Sequence, residues 1–294
     1  MREFHPVVTT IYYVAVIGVT MFSNSPIILA ISLVAGIIYA LKIAEEEKGR
    51  MLRSILTVFF VITILSTLIN GLFTHNGKTV LFYIGPNRIT LEAFVYGFFM
   101  SMMVTAVIVW FISFGLIMTS DKLITVFGHL APVLGLTISM IFRFVPLLRD
   151  RYGEISMGQA AMGRGAGDIK GLLNKLRQKI KEISILISWS LEASIETADS
   201  MTARGYGLPG RSAYRIFKAG RRDYVISGVI VLITCAIIAL VFQGAGRAYY
   251  YPELNIGVVS DKAIWNTIYP LFLLLAALPT CFDCYEDMLW KRSE

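Results

Sequence analysis

Two short runs decide how this chain is read: Gln159-Ala160-Ala161-Met162-Gly163-Arg164-Gly165 and Ala198-Asp199-Ser200-Met201-Thr202-Ala203-Arg204-Gly205-Tyr206-Gly207. Each places an arginine between small residues, Gly163-Arg164-Gly165 and Ala203-Arg204-Gly205, at a point where a helix is expected to end. Between them, Ile183 to Ala203 reads as an amphipathic helix. At about 100° per residue, Ile183, Ile187, Leu191, Ile195, Ala198 and Met201 share one face. Glu192, Glu196 and Asp199 fall opposite, with Ile185 and Trp189 as exceptions near the acidic side. Such a helix lies along a membrane surface or against other helices. The stretch Gly205-Tyr206-Gly207-Leu208-Pro209-Gly210 is a helix stop. A cation just before it gains about 0.3–1 kcal/mol from the helix dipole. The small neighbours also leave each guanidinium free to enter a groove on a partner and pair with a carboxylate through two hydrogen bonds. On residues alone, both arginines fit helix caps better than partner anchors. A solvated face with an apolar underside accounts for the periodicity.

Outward from this polar stretch the chain is strongly apolar. Charged residues make up 16% of it and mean hydropathy is +0.66, against about 25% charged in soluble domains. Apolar runs reach the length needed to cross a hydrocarbon core of roughly 30 Å. The fold class expected is an all-α membrane protein with about six transmembrane helices, long cytoplasmic amphipathic helices and a small outer β-hairpin. The spans are Val7–Phe22, Ile27–Leu41, Ile55–Phe73, Ala93–Met118, Tyr224–Phe242 and Ala263–Cys281. Ser23-Asn24-Ser25-Pro26 supplies a turn between the first two. Thr79–Ile84 and Arg88–Leu91 flank Gly85-Pro86-Asn87, a hairpin signal. The organisation is therefore 1–118 for spans one to four, 119–223 for the polar region, and 224–294 for spans five and six with the tail. The first span reads as a retained helix rather than a signal peptide, because no small-residue cleavage site follows it.

Charge sets the orientation. With the N-terminus inside, 23 of the 27 Lys and Arg residues fall in inner segments, and the outer ones are Lys78, Arg88, Arg247 and Lys262. That bias points to cytoplasmic N- and C-termini. The net charge of +7 is accounted for in this way and does not indicate nucleic acid. Leu123–Pro146 is apolar enough to span, but Arg143 would then lie at a costly depth. A helix pair at the inner interface is the expectation.

Other motifs yield no chemistry. Gly158 to Gly165 imitates a phosphate-binding loop, yet Arg164 and Gly165 stand where Lys and Ser or Thr are required. Gly244-Ala245-Gly246 is a loop at a span end. Cys281 and Cys284 form a lone pair, and His5, His75 and His129 lack metal-ligand spacing. No cofactor, metal or catalytic group is expected. The six spans contain no Asp, Glu, Lys, Arg or His, whereas ion-coupled carriers and intramembrane hydrolases rely on such groups. Two alternatives are kept: a self-sufficient carrier, and a membrane enzyme using His129, Asp199 or Glu196.

The two runs, together with Arg143-Phe144-Val145-Pro146-Leu147, Arg211-Ser212-Ala213-Tyr214-Arg215 and Asp223, resemble the transmembrane T component of energy-coupling factor (ECF) transporters. The resemblance covers nearly the whole chain. It implies a non-enzymatic scaffold in the cell membrane, part of an ABC-type importer for a vitamin or transition metal. Its implied partners are two cytoplasmic ABC ATPases and a substrate-binding membrane S component. By position, the ATPase-docking residues are Gly163, Arg164, Gly165, Ala203, Arg204 and Gly205. The surface toward the substrate subunit is Ile183, Ile187, Leu191 and Ile195, on a coupling helix that crosses a second one. Gly163 departs from the family's usual alanine, which predicts a looser local helix.

Overall fold

The structure, a computed structural model, describes residues 4–44, 48–84, 87–130, 132–164, 171–208, 217, 219–246, 248–254 and 266–293. They form helices α1 (Pro6–Phe22), α2 (Pro26–Ile43), α3 (Lys48–Phe73), α4 (Leu91–Ile117), α5 (Ser120–Leu130), α6 (Pro132–Ala161), α7 (Leu172–Ala203), α8 (Arg221–Phe242) and α9 (Ile268–Ser293). A two-stranded antiparallel hairpin, β1 (Val80–Ile84) and β2 (Asn87–Thr90), precedes α4. The chain divides into two compact units, Met1–Thr119 with Phe217–Glu294, and Ser120–Ile216.

In the first unit α2, α3, α4 and α8 are long and apolar enough to cross a membrane, and α1 and Ile268–Cys284 are shorter apolar helices. The four long helices match four of the six spans expected from hydropathy; α1 coincides with the first, and Ile268–Cys284 covers the described part of the sixth. α3 begins at Lys48 rather than Ile55, because Lys48, Arg50 and Arg53 continue the helix beyond its apolar run. Proline at the first helical position starts both α1 and α2, where its missing N–H removes no hydrogen bond.

The core of this unit is aromatic. Tyr12, Tyr13 and Tyr39 surround Trp110, all fully or almost fully buried. The Tyr12 and Tyr13 rings meet Trp110 edge-on with centroids 6.0 and 6.1 Å away, the geometry that ring quadrupoles favour. The Trp110 indole N–H donates to Ser32 Oγ at 3.0 Å, so its polar atom is satisfied inside the bundle. α3 and α4 approach through small residues. A Cβ added at Gly97 would lie 2.8 Å from Thr67 Cα and 2.9 Å from the Ser66 carbonyl oxygen. Ser66 Oγ donates to the Gly97 carbonyl at 2.9 Å, and Thr63 and Ser101 hydroxyls pair at 3.0 Å. Small-residue contact with interhelical hydrogen bonds is how helices associate where lipid offers no hydrophobic gain.

The two ends of the bundle differ. At one end the Phe4 and Phe282 rings meet at 5.4 Å, Arg222 lies over Phe4, and the Asp223 carboxylate accepts the His5 and Gly220 backbone N–H groups. At the other, Tyr250 donates its hydroxyl to the Asn24 carbonyl at 2.9 Å and meets the Tyr96 ring edge-on. Burial pushes the Tyr250 phenol up to about 12. There Lys78 pairs with Glu253, its N–H donates to the Pro252 carbonyl, and Thr79 N–H donates to Glu92 Oε1 at 2.9 Å. The hairpin and the segment after α8 are thus tied to the start of α4.

The second unit holds α5, α6 and α7. The apolar stretch Leu123–Pro146 is a helix pair, α5 packed on the first part of α6, and α6 continues through Pro146 to Ala161. The His129 side chain, kept above for an enzymatic reading, lies outside the described residues.

Candidate docking surface

The surface is built on α6 and α7. They run antiparallel, because Gln178 Nε2 donates to Gln159 Oε1 at 3.2 Å while Arg151 lies 5.0 Å over the Trp189 ring. Between these contacts Tyr152 faces the buried Glu182. Burial first, then the Glu182 carboxylate, raises the Tyr152 phenol above its ordinary range. Only this polar face of α7 is buried. Ile183, Ile187, Leu191 and Ile195 are exposed at 46, 54, 62 and 64%, so the apolar stripe expected from periodicity stands unpaired. α7 starts at Leu172, eleven residues before the periodic segment Ile183–Ala203. Lys175, Arg177, Lys179 and Lys181 interleave with the apolar residues there, and the helix runs through them.

Both arginine runs lie at helix ends, and hydrogen bonds define how. At the end of α6, Gly163 takes φ +72°, Gly163 N–H donates to the Ala160 carbonyl, and Arg164 N–H donates to the Gln159 carbonyl. At the end of α7, Gly205 takes φ +79°, Gly205 N–H donates to the Thr202 carbonyl, and Tyr206 N–H donates to the Met201 carbonyl. Each is a complete Schellman cap with glycine in the left-handed position. The arginines occupy different stations on it. Arg204 is the last residue before the left-handed glycine; Arg164 is the first residue after one. By cap geometry Arg164 corresponds to Tyr206, and Met162 corresponds to Arg204.

This difference follows from Gly163. An alanine there would favour continued helix, whereas glycine adopts the left-handed conformation without a Cβ penalty. The helix stops at once rather than loosening. Gly165 lies outside the described residues. Arg164, Ala203 and Arg204 are exposed. Among the described residues neither guanidinium has an ion pair or hydrogen bond. Given 1.5 Å per residue, the two arginines stand about 45 Å apart along α7. Gly158 to Ala161 are helical, so the imitation of a phosphate loop has no strand-loop-helix geometry behind it.

A family model described as CbiQ, cobalt transport protein, matches residues 1–214. The chain belongs to the CbiQ family. Similar proteins from several organisms carry the name energy-coupling factor transporter transmembrane protein EcfT. The chain is 31% identical to that of Lactococcus lactis subsp. cremoris over 191 residues, 60% of this chain and 70% of the relative. It is 28% identical to that of Streptococcus thermophilus over 235 residues, 75% of this chain and 85% of the relative. With Bacillus selenitireducens the identity is 33% over 112 residues, 38% of this chain. The chain spans about two-fifths of the length of that relative and of the one from Lacticaseibacillus paracasei, 41% and 40%. Membership of CbiQ and the apolar helices place this chain among the membrane proteins of a transport family.

Sequence reasoning missed the polar layer of Gln159, Tyr152, Gln178 and Glu182 between α6 and α7. The signal was present: Gln178 and Glu182 are four residues apart, on the side of α7 away from the apolar stripe.

Proposed function

We propose that this chain is the energy-coupling membrane subunit of an ECF importer and passes motion from two cytoplasmic ABC ATPases to a substrate-binding membrane subunit. The observation that carries this reading is the pair of exposed arginines, one on the capped end of α6 and one on the capped end of the antiparallel α7, neither guanidinium paired among the described residues. A lone cap arginine serves its own helix. Two of them about 45 Å apart on α7's length suit two separate sockets, each lined by carboxylates. In this account Arg164 and Arg204 dock on one ATPase each, with Gly163, Gly165, Ala203 and Gly205 keeping the backbone low around them. The exposed Ile183, Ile187, Leu191 and Ile195 meet the substrate subunit. α6 and α7 are cytoplasmic coupling helices, residues 119–223 form the coupling region, and both termini face the cytoplasm. The family's description, cobalt transport protein, supports a transition-metal cargo; a vitamin is the other cargo that the ECF resemblance implies.

Energy has to arrive from a second polypeptide, because the six apolar helices offer no ionisable group at mid-depth to couple to an ion gradient. The test is purification of the tagged chain in mild detergent. Two ATPase subunits and a small membrane protein should accompany it in fixed proportion. A chain that purifies alone, and takes up substrate alone in proteoliposomes, refutes the proposal in favour of a self-sufficient carrier.

A further inference from the structure

The exposed face of α7 is not uniform, and its first half carries chemistry that the docking reading does not use. Leu172, Leu173, Leu176 and Ile180 are all exposed, Leu172 and Leu173 at 75 and 81%. At about 100° per residue they fall within an arc of roughly 100°. Lys175 and Lys179 lie along one edge of that arc, and Arg177 and Lys181 along the other. All four are exposed. The opposite face is the one held by α6, through Gln178 and the buried Glu182. An apolar stripe edged on both sides by long cationic side chains is the pattern of a helix lying in a membrane interface, its lysines and arginines reaching to the headgroups.

The second half of α7 contrasts with it. Leu191 and Ile195 continue the stripe, but no Lys or Arg occurs between Glu182 and Ala203, and the charges there are Glu192, Glu196 and Asp199. An anionic surface would attract the first half and gain nothing from the second. We infer that Leu172–Lys181 is a binding surface for anionic phospholipid headgroups, which seats the start of α7 on the bilayer and leaves the stripe from Ile183 onward for a protein partner.

The test uses the purified full chain without ATPases or substrate subunit, so its outcome is separate from that of the docking proposal. Hydrogen exchange of Leu172–Lys181 is compared in nanodiscs of phosphatidylcholine alone and of phosphatidylcholine with phosphatidylglycerol. The anionic lipid should slow exchange there by about fivefold for each basic residue engaged, and salt should reverse the effect in the unmodified protein. The variant K175Q/R177Q/K179Q/K181Q should lose the lipid dependence, while E192Q/E196Q keeps it. Equal exchange in both lipids at low salt overturns the inference. So does protection that appears only once a protein partner is added.

Discussion

Gly163→Ala probes the feature that sets the two arginines apart. Gly163 sits at φ +72° with nothing within 4 Å of an added Cβ, so its substitution carries backbone strain and no clash. An L-residue held in the left-handed region costs about 1–2 kcal/mol. That strain falls on the two capping bonds, Gly163 N–H to Ala160 and Arg164 N–H to Gln159. It corresponds to opening of the last turn about 5–30 times more often. Hydrogen exchange resolved at Arg164 should accelerate by that factor, with α7 unaffected. At Gly205 the same strain applies, and an added Cβ would lie 3.1 Å from Leu208 Cδ1. Leu208 is exposed and yields, so Gly205→Ala should open its own turn by a similar or slightly larger factor. Unchanged exchange at Arg164 in Gly163→Ala would refute the assignment of Gly163 as the stop of α6.

Gly97→Ala should destabilise the first unit by about 1–3 kcal/mol, because its Cβ meets α3 backbone rather than a movable side chain; thermal unfolding in detergent reads this, and a wild-type midpoint would show that α3 and α4 do not touch there. Asp223→Ala removes acceptors for two backbone N–H groups, His5 and Gly220, and should cost about 1 kcal/mol, with faster exchange at the start of α8. The Tyr152 phenol is raised in the folded state, so above its unfolded value of 10.0 the folded form binds the proton that the unfolded form loses. Stability should therefore fall as pH rises past about 10 and stay flat on this account below it. Tyr152→Phe should remove that alkaline component in a urea titration followed across pH.

Much of the fold was legible because the bilayer imposes length and composition together. The turn at Ser23 to Pro26, the hairpin around Gly85-Pro86-Asn87 and the α5–α6 break each carried a local signal. What hydropathy could not give was helix length at polar ends. α3 gains Lys48 to Arg53, and α7 gains Leu172 to Glu182, because charged residues that favour helix do not alter an apolar pattern. The candidate site was legible as residue types. Its geometry was not, since Gly163-Arg164-Gly165 and Ala203-Arg204-Gly205 look equivalent in sequence. The difference lies in where the left-handed glycine stands, Gly163 before its arginine and Gly205 after its own, and alanine at 203 offers no such position. Tyr152 and Glu182 were hidden for another reason: they meet across thirty positions of sequence, and no local periodicity links them.

The central claim is that Arg164 and Arg204 are paired contacts for two ATPases. Its most direct measurement is the ATPase content of complexes purified with the Arg164→Glu/Arg204→Glu double variant, alongside its level in the membrane and its substrate uptake. The account predicts normal membrane insertion, loss of both ATPases and loss of uptake, with each single variant weakening capture in part. Retention of both ATPases in full proportion, with uptake intact, would contradict it.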